Sequence, residues 1–166
     1  MTQPGAFVPS PETQRDFRDC LGCFGTGVCV VTTQTPEGPL AMTANSFAAV
    51  SLDPPLVLWS PAVTSARHDP FAKAAFSAVH IMDASQGDLA TRFARDGRDF
   101  DHADWDPDEN GTPQLHGTLA RFDCAAHAAH PAGDHTILVL RVLAAQHRAG
   151  SPLLFVQGQY GHFVSA

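Results

Sequence analysis

Residues 42–47 contain three short polar side chains close together, Thr43, Asn45 and Ser46. Such side chains, with the backbone N–H groups beside them, form concavities that accept anions without any net positive charge. The segment therefore predicts contact with the polar edge or the phosphate of a planar ligand. The same pattern is also typical of an ordinary strand whose Thr and Ser side chains alternate outward.

A second polar loop spans residues 60–67 and follows a short apolar run that is typical of a buried strand. Loops that extend from a rigid strand are common places for ligand contacts. Arg67 supplies a positive charge that suits a phosphate. Alternatively, the loop is a plain turn in which Ser65 caps the following helix and Arg67 is solvated.

The third candidate is the sequence Gly133-Asp134-His135. Glycine permits a tight turn, and the Asp134 carboxylate can orient the His135 ring through a hydrogen bond. An imidazole held in this way can face a ligand, and it changes its protonation near neutral pH. The competing interpretation is an exposed histidine at a hairpin turn.

Two further groups of residues suggest metal or redox chemistry. Cys20 and Cys23 have the spacing of a redox or zinc pair, but no second cysteine pair follows at zinc-finger spacing. Cys124, His127 and His130 are typical zinc or iron ligands. Side chains three residues apart on a strand point to opposite faces, so a shared site would need a bend in the chain. We therefore expect no metal site, and we expect Cys20 and Cys23 to be reduced and to pack as small buried apolar residues.

Helices are expected around these segments. Ser10, followed by a proline, is typical of a helix start, and the apolar residues after it have helical spacing. A short helix is expected over residues 65–74. A capping box formed by Ser85 and Asp88 predicts a third helix, over residues 85–95.

Strands account for more of the chain than helices do. The sequence predicts a hairpin whose second strand is bent and covers residues 40–51. Other expected strands cover residues 28–33, 56–59, 76–82, 116–128, 135–147 and 152–158. Short turns between neighbouring strands favour an antiparallel sheet, and no glycine-rich phosphate loop follows a strand. The expected fold class is mainly β with flanking helices, as a closed or split antiparallel β-barrel.

The chain of 166 residues has the size of one domain. Proline and glycine near its start predict a flexible arm over residues 1–11, followed by one domain over residues 12–166. The formal net charge is −7, and Lys73 is the single lysine. Binding to nucleic acid or to an anionic membrane is therefore disfavoured. We expect a cytoplasmic protein, because the sequence has no spanning apolar run and no secretory signal.

Several short motifs form an ordered set between about residue 17 and residue 160. They are Phe24-Gly-Thr-Gly-Val-Cys-Val-Val-Thr-Thr33, Met42-Thr-Ala-Asn-Ser-Phe47, Val50-Ser-Leu-Asp-Pro-Pro-Leu-Val57, Gln86, Arg92-Phe-Ala94, Gly133-Asp-His135 and Pro152-Leu-Leu-Phe155. In this order and spacing the set resembles the short-chain flavin reductases, which are the small components of two-component flavin monooxygenases. The resemblance implies an FMN-binding split-barrel fold.

The resemblance also implies an activity and its partners. Members of this family bind FMN or FAD near the interface of a homodimer and transfer a hydride from NADH or NADPH to the flavin. The reduced flavin then passes to a separate monooxygenase. Because the flavin carries the redox chemistry, the protein needs no acid–base dyad and no metal.

The site residues that the resemblance implies fall into two groups. His135, supported by Asp134, would face the nicotinamide and is the expected catalytic residue. The expected flavin-binding residues are Thr43, Ala44, Asn45, Ser46, Ser51, Ser60, Pro61, Ala62, Ser65, Arg67 and Tyr160. Backbone amides of residues 43–46 would donate to the part of the flavin where negative charge collects on reduction.

Two rival functions stay open at this point. One is a flavin-binding electron carrier of the same fold that does not oxidise NAD(P)H at a useful rate. The other is a metal-dependent enzyme that uses Cys124, His127 and His130. The sequence leaves open the choice between FMN and FAD, and that between NADH and NADPH, because no basic cluster marks a site for a 2′-phosphate.

Overall fold

The computed structural model describes residues 5–165. Its helices within this range are α1 (Gln14–Gly22), α2 (His68–Lys73) and α3 (Gly87–Arg95). A 3-10 helix, Pro11–Thr13, leads into α1, and a 2.8 Å hydrogen bond from the Ser10 backbone N–H to Thr13 Oγ1 fixes its start. The expected arm begins with residues 1–4, which lie outside the described residues; residues 5–10 form neither helix nor strand.

Twelve strands occur within the described residues. They are β1 (Thr26–Gly27), β2 (Cys29–Thr35), β3 (Gly38–Ala44), β4 (Ala48–Leu52), β5 (Pro55–Trp59), β6 (Phe76–Ile81), β7 (Trp105–Pro107), β8 (Pro113–Leu115), β9 (Ala120–Ala132), β10 (His135–His147), β11 (Leu153–Val156) and β12 (Gln159–His162). The two longest, β9 and β10, form a hairpin that turns at Gly133, where φ is 65°. Glycine adopts this left-handed conformation without the steric cost of a Cβ. The predicted turn at this position is confirmed.

Seven of these strands form one antiparallel sheet in the order β3-β2-β6-β9-β10-β5-β4. Its edge strands, β3 and β4, follow each other in the chain, separated only by residues 45–47. A flat sheet of seven strands would hold its edges roughly 29 Å apart, since neighbouring strands lie about 4.8 Å apart. The four steps from Ala44 to Ala48 span at most about 14 Å. The sheet must therefore curl until its edges approach, which gives an open barrel split between β3 and β4.

Two smaller sheets complete the fold. Strands β1, β11 and β12 form a three-stranded sheet, and β7 pairs with β8. The three-stranded sheet is attached to the barrel by backbone hydrogen bonds from Val28 N to Leu153 O, at 3.0 Å, and from Leu153 N to Met82 O, at 2.9 Å. This sheet therefore holds a fixed position beside the end of β6.

Strand β2 separates two apolar cores. Its successive residues point to opposite sides, so Val31 lies in one core and Val30 in the other. The first core contains Trp59 and draws residues from β2, β3, β5, β6, β9 and β10, as the interior of a barrel does. The second core contains Phe93 of α3 and Leu153 of β11. Burial on both faces of β2 explains why its sequence is an almost continuous β-branched run.

The predicted fold class, mainly β with antiparallel sheets and flanking helices, is confirmed. Two local predictions are wrong. The strand expected over residues 40–51 is two strands, because the chain turns at residues 45–47 to pass from one sheet edge to the other. A 3-10 helix, Ala84–Gln86, leads into α3, and its cap is Asp83 rather than Ser85. Asp83 Oδ1 accepts from Ser85 N at 2.9 Å, and Gln86 Oε1 accepts from Asp83 N at 3.0 Å.

A buried histidine ties β2, β6 and β8 together. His80 is 0% exposed, and its Nδ1 donates to the Val30 carbonyl at 3.0 Å. Its Nε2 accepts from the Leu115 N–H, also at 3.0 Å. Both bonds need the neutral ring with its proton on Nδ1, and burial lowers the pKa of His80 to about 3.

Replacing His80 with leucine is expected to lower the free energy of unfolding by about 2–4 kcal/mol, because a buried carbonyl and a buried N–H lose their partners. The variant should also change the pH dependence of stability. Urea denaturation of both proteins between pH 4 and pH 8 measures both effects.

The sign of the pH effect follows from the direction of the shift. The unfolded histidine binds a proton below its ordinary pKa, about 6.5, whereas the folded one does not until about pH 3. Wild-type stability therefore falls as the pH drops below about 6.5, and the contribution from His80 approaches about 1.4 kcal/mol per pH unit. His80→Leu should lack that contribution; parallel pH profiles for the two proteins would contradict the assignment.

Candidate functional site

The turn between the two sheet edges contains the first group of expected site residues. Thr43 Oγ1 donates to the Ala90 carbonyl of α3 at 2.6 Å, which fixes the end of β3. Ser46 Oγ accepts from the Ser60 backbone N–H at 2.9 Å. Asn45, between them, is exposed. Ser46 thus joins the turn at the split to the loop that follows β5.

That loop is in turn paired with the start of β10. Thr136 N donates to the Pro61 carbonyl at 3.1 Å, and Val63 N donates to the Asp134 carbonyl at 2.9 Å. These two bonds form an isolated antiparallel bridge between Ala62 and His135. The structure therefore brings all three polar segments of the sequence into one continuous surface at the split of the barrel.

Asp134 and His135 form a hydrogen-bonded pair at this surface. His135 Nδ1 lies 2.8 Å from Asp134 Oδ1, and the two side chains are 43% and 87% exposed. The hydrogen bond to His135 is the largest cause of the lowered pKa of the Asp134 carboxyl. An ionised carboxylate on Nδ1 favours the tautomer with its proton there. Within residues 5–165, Nε2 of His135 makes no hydrogen bond, so it can face a ligand.

Arg67 has a role that its sequence context did not indicate. Its Nη1 donates to the carbonyls of Ala41 and Phe93, at 3.1 and 2.6 Å, and its Nη2 donates to the Ala94 carbonyl at 2.8 Å. Burial lowers the pKa of Arg67. Gly97 completes this packing, since a Cβ there would lie 2.8 Å from Arg67 Cδ. The side chain fastens the end of the loop to β3 and α3, and the alternative of a solvated Arg67 is wrong.

Three other predicted site residues make structural contacts within their own loop or strand pair. Ser65 Oγ accepts from the Arg67 N–H at 3.2 Å, so it shapes the loop and is not the N-cap of α2. Ser51 is half-buried on β4, where it pairs with Leu56 of β5. Ala44 pairs with Cys29 at the end of β3. Within the described part of the chain, none of these residues forms a side-chain hydrogen bond with His135.

A cleft of about 530 Å³ opens beside the turn at the split. Its walls are α1, Asn45, and the turn between β11 and β12. A hydrogen bond from Gln157 N to the Gly22 carbonyl, at 2.9 Å, holds that turn against the end of α1. Tyr160 packs edge-on against Phe155, with ring centroids 5.5 Å apart, and is 40% exposed. Tyr160 lines a neighbouring cavity of about 340 Å³.

The sequence did not predict three features of the site. Two are hydrogen bonds, from Ser60 N to Ser46 Oγ and, at 2.9 Å, between His68 Nε2 and Thr136 Oγ1. The third is the position of Arg18 in the wall of the cleft. Each depends on segments that are distant in the chain. One signal for Arg18 was present in the sequence: it follows Phe17 directly, so it lies off the apolar face of the predicted helix, where no core residue is expected.

The residues proposed as metal ligands are dispersed. Cys124 is buried, and burial raises the pKa of its thiol to about 12, whereas His127 and His130 are exposed. Within residues 5–165, no three side chains of His, Cys, Asp or Glu converge as metal ligands would. Cys20 and Cys23 are exposed free cysteines, so the expectation that they pack as buried apolar residues is wrong.

The fold and the converging loops define a split-barrel protein with a continuous polar surface at the opening of its barrel. The chain matches the family described as Flavin reductase like domain over residues 21–163. It belongs to that family, and the resemblance drawn from the motifs is confirmed. In the described part of the chain, no helix has the length and apolar character needed to traverse a bilayer.

Several known proteins are similar to this chain over nearly its whole length. FMN reductase (NADH) SmoA of Agrobacterium fabrum is 56% identical over 163 residues, which are 98% of this chain and 94% of SmoA. HsaB of Rhodococcus jostii, the reductase subunit of a flavin-dependent monooxygenase, is 37% identical and matches 96% of this chain and 83% of its own. Among solved structures, the NADH:FAD oxidoreductase SgcE6 of Streptomyces globisporus superposes with a TM-score of 0.89 at 35% identity, covering 99% of this chain and 96% of SgcE6.

Replacing Arg67 with methionine keeps the apolar length of the side chain and removes the guanidinium. The free energy of unfolding should fall by about 2–3 kcal/mol, because three carbonyls lose a charged donor. The exposed Arg15 provides the matched control, for which Arg15→Met should change stability by less than about 0.5 kcal/mol. Equal urea midpoints for the two variants would contradict the role given to Arg67.

Proposed function

We propose that this protein is an NADH-dependent flavin reductase that transfers a hydride to FMN or FAD and supplies the reduced flavin to a separate monooxygenase. The observation that carries this proposal is the continuous surface at the barrel split. There Ser46 binds the loop of Ser60, and that loop pairs with the strand of His135. A surface of this kind can hold two flat ligands side by side.

The donors at the split suit a flavin. Within residues 5–165, the backbone N–H groups of Asn45, Ser46 and Ala62 have no hydrogen-bond partner in the protein. The exposed side-chain amide of Asn45 also makes no hydrogen bond within these residues. Backbone N–H groups are strong donors that need a partner. Oxygen and nitrogen acceptors along one edge of a flavin ring, and those of its phosphate, would provide such partners.

Flavin, when bound, supplies the redox chemistry by accepting a hydride from the nicotinamide. The protein's part is to bind and orient. Donors of residues 45 and 46 stabilise the negative charge that develops at the edge of the ring on reduction. We assign the phosphate side to Ser60, Pro61, Ala62 and Ser65, with Arg67 holding that loop in shape. Ser51 and Tyr160 would close the two ends of the site.

His135 is assigned to the nicotinamide. The hydrogen bond between Nδ1 and Asp134 fixes the orientation of the ring and therefore the direction in which Nε2 points. A hydrogen bond from this ring to the carboxamide of the nicotinamide would set its angle against the flavin. Hydride transfer requires the two reacting atoms to lie roughly 3–3.5 Å apart, so a small rotation of the donor slows the reaction strongly.

We further propose that the protein works as a homodimer in the cytoplasm, where NADH is available. Several large apolar side chains are solvent-exposed in the single chain. Val50 and Leu52 on the edge strand β4 are 48% and 96% exposed, and Leu143 on β10 is 57% exposed. Exposed apolar surface of this extent commonly marks a protein–protein interface.

Relatives support a separate monooxygenase as the partner. Besides HsaB, a 42% identical relative from Acinetobacter baylyi is named as the reductase component of a flavin-dependent trigonelline monooxygenase. These names describe those proteins. For this chain, transfer of reduced flavin to a second protein is consistent with an open and partly exposed site.

The activity is tested by mixing the purified protein with excess NADH and free FMN, then FAD, in air, and following absorbance at 340 nm. Rapid loss of NADH that saturates with flavin is expected, and the flavin with the higher kcat/KM is the preferred one. Flavin binding without turnover would overturn the proposal and favour an electron carrier. Treatment with a metal chelator should leave the rate unchanged.

Replacing Ser46 with alanine removes the acceptor that holds the Ser60 N–H. The loop of Ser60 should loosen, and the dissociation constant of the flavin should rise about five- to tenfold, the effect of one hydrogen bond. Fluorescence titration measures it. Ser151 is similarly half-buried, and Ser151→Ala should bind flavin as the wild type does; equal effects of the two changes would contradict the role of Ser46.

Replacing His135 with alanine should lower kcat/KM for NADH by about ten- to a hundredfold while the flavin dissociation constant stays within twofold, because the ring orients the donor. Asp134→Asn should have a smaller effect in the same direction. His130→Ala, a change at an exposed histidine on β9, is the control. Steady-state kinetics at a fixed flavin concentration measure kcat/KM for NADH in each variant. An unchanged value in His135→Ala would show that this residue does not belong to the site.

A further inference from the structure

The cleft of about 530 Å³ beside Asn45 is lined by aromatic and charged side chains that have no role in the proposed flavin site. Its volume lies within the range of small-molecule sites. Two aromatic rings line it, Phe24, which is 78% exposed, and Phe155, which is half-buried. Two charged side chains of α1, Arg18 and Asp19, complete the wall. Aromatic faces, a guanidinium and a carboxylate together match the three parts of a nucleotide.

The charges in the cleft are not neutralised by the protein. Within residues 5–165, the side chains of Arg18 and Asp19 make no ion pair and no hydrogen bond. The basic residues Lys73, Arg98, Arg121 and Arg148 are instead paired with carboxylates. Arg18 is thus available to an anionic ligand, and Asp19 is available to a ligand's hydroxyl groups.

The cleft adjoins the surface at the barrel split: Asn45 lines it, and the next residue, Ser46, binds the loop of Ser60, which pairs with the strand of His135. The positive charge of Arg18 contributes to the lowered pKa of the Asp134 carboxyl, after the larger effect of its hydrogen bond with His135. Asn45, at the other side of the cleft, belongs to the turn assigned to the flavin. A donor whose nicotinamide meets the flavin near His135 would extend naturally into this cleft.

We propose that the cleft binds the adenosine diphosphate half of the nicotinamide dinucleotide and makes the enzyme selective for NADH over NADPH. Arg18 binds the pyrophosphate, since guanidinium and phosphate oxygens form paired, charge-assisted hydrogen bonds. Phe24 and Phe155 contact the adenine. Asp19 accepts hydrogen bonds from the adenosine ribose and repels the 2′-phosphate that distinguishes NADPH. This assignment rests on the proposed reductase activity.

Two variants separate the roles of the two charges. Arg18→Gln should raise KM about tenfold for both NADH and NADPH, with kcat within twofold and the flavin dissociation constant unchanged. Asp19→Asn should leave the KM for NADH within threefold and raise kcat/KM for NADPH about tenfold, because the repulsion is removed. Arg15→Gln and Asp16→Asn, one turn earlier on the same helix, carry the same charge changes outside the cleft and should match the wild type.

A truncated donor provides an independent arm. Reduced nicotinamide mononucleotide has the reacting ring but lacks the adenosine half. Its kcat/KM should be well below that of NADH in the wild type and should be the same in wild type and Arg18→Gln. If Arg18→Gln slowed this donor as much as it slows NADH, the arginine would act on the nicotinamide half and the proposal would be wrong.

Other outcomes distinguish the competing explanations. A raised flavin dissociation constant in Arg18→Gln, with unchanged KM for NADH, would assign the cleft to the flavin phosphate and overturn the proposal. A shift to monomer in sedimentation, with unchanged KM, would assign it to the subunit interface and overturn it as well. Absence of NADH oxidation by the wild type would refute the proposed function itself, whereas normal wild-type turnover with unaffected variants would refute the cleft assignment alone.

Discussion

The structure depends on one geometrical constraint, the shortness of the connection between the two edges of the main sheet. Residues 45–47 are all that separates β3 from β4, although five strands lie between them in the sheet. The chain can close that distance only if the sheet curls. Curling encloses one face as the barrel core, and it concentrates the turn, the loop after β5 and the start of β10 at a single opening.

Buried polar contacts then hold that opening in shape. Arg67 ties the loop after β5 to two other elements, and His80 ties strands of the wall to β8. His80 satisfies a buried carbonyl and a buried N–H, and the half-buried Arg67 satisfies three carbonyls. The proposed chemistry requires this rigidity more than it requires acids or bases, because a bound flavin carries the electrons and the protein must fix two ring planes against each other.

Much of this could be predicted from the sequence, and the failures have physical causes. β-Branched runs and turns with glycine identified the antiparallel strands, including the turn at Gly133. The break at residues 45–47 was missed because it contains no glycine or proline, and the sheet's closure, a long-range effect, imposes it. The contacts of Arg67 could not be predicted because its acceptors lie 26 and 27 residues away in the chain. Asp83 and Ser85 are both good helix caps, so only tertiary contacts select between them.

Amide chemical shifts of the ¹⁵N-labelled protein during titration with FMN test the central claim most directly, since they report which backbone groups meet the ligand. The account predicts that the largest changes occur at residues 43–46 and 60–62, with smaller ones at residues 134–136. Saturable changes confined to other parts of the chain, such as the connection over residues 96–109 between α3 and β8, would show that the flavin binds elsewhere and would contradict the account.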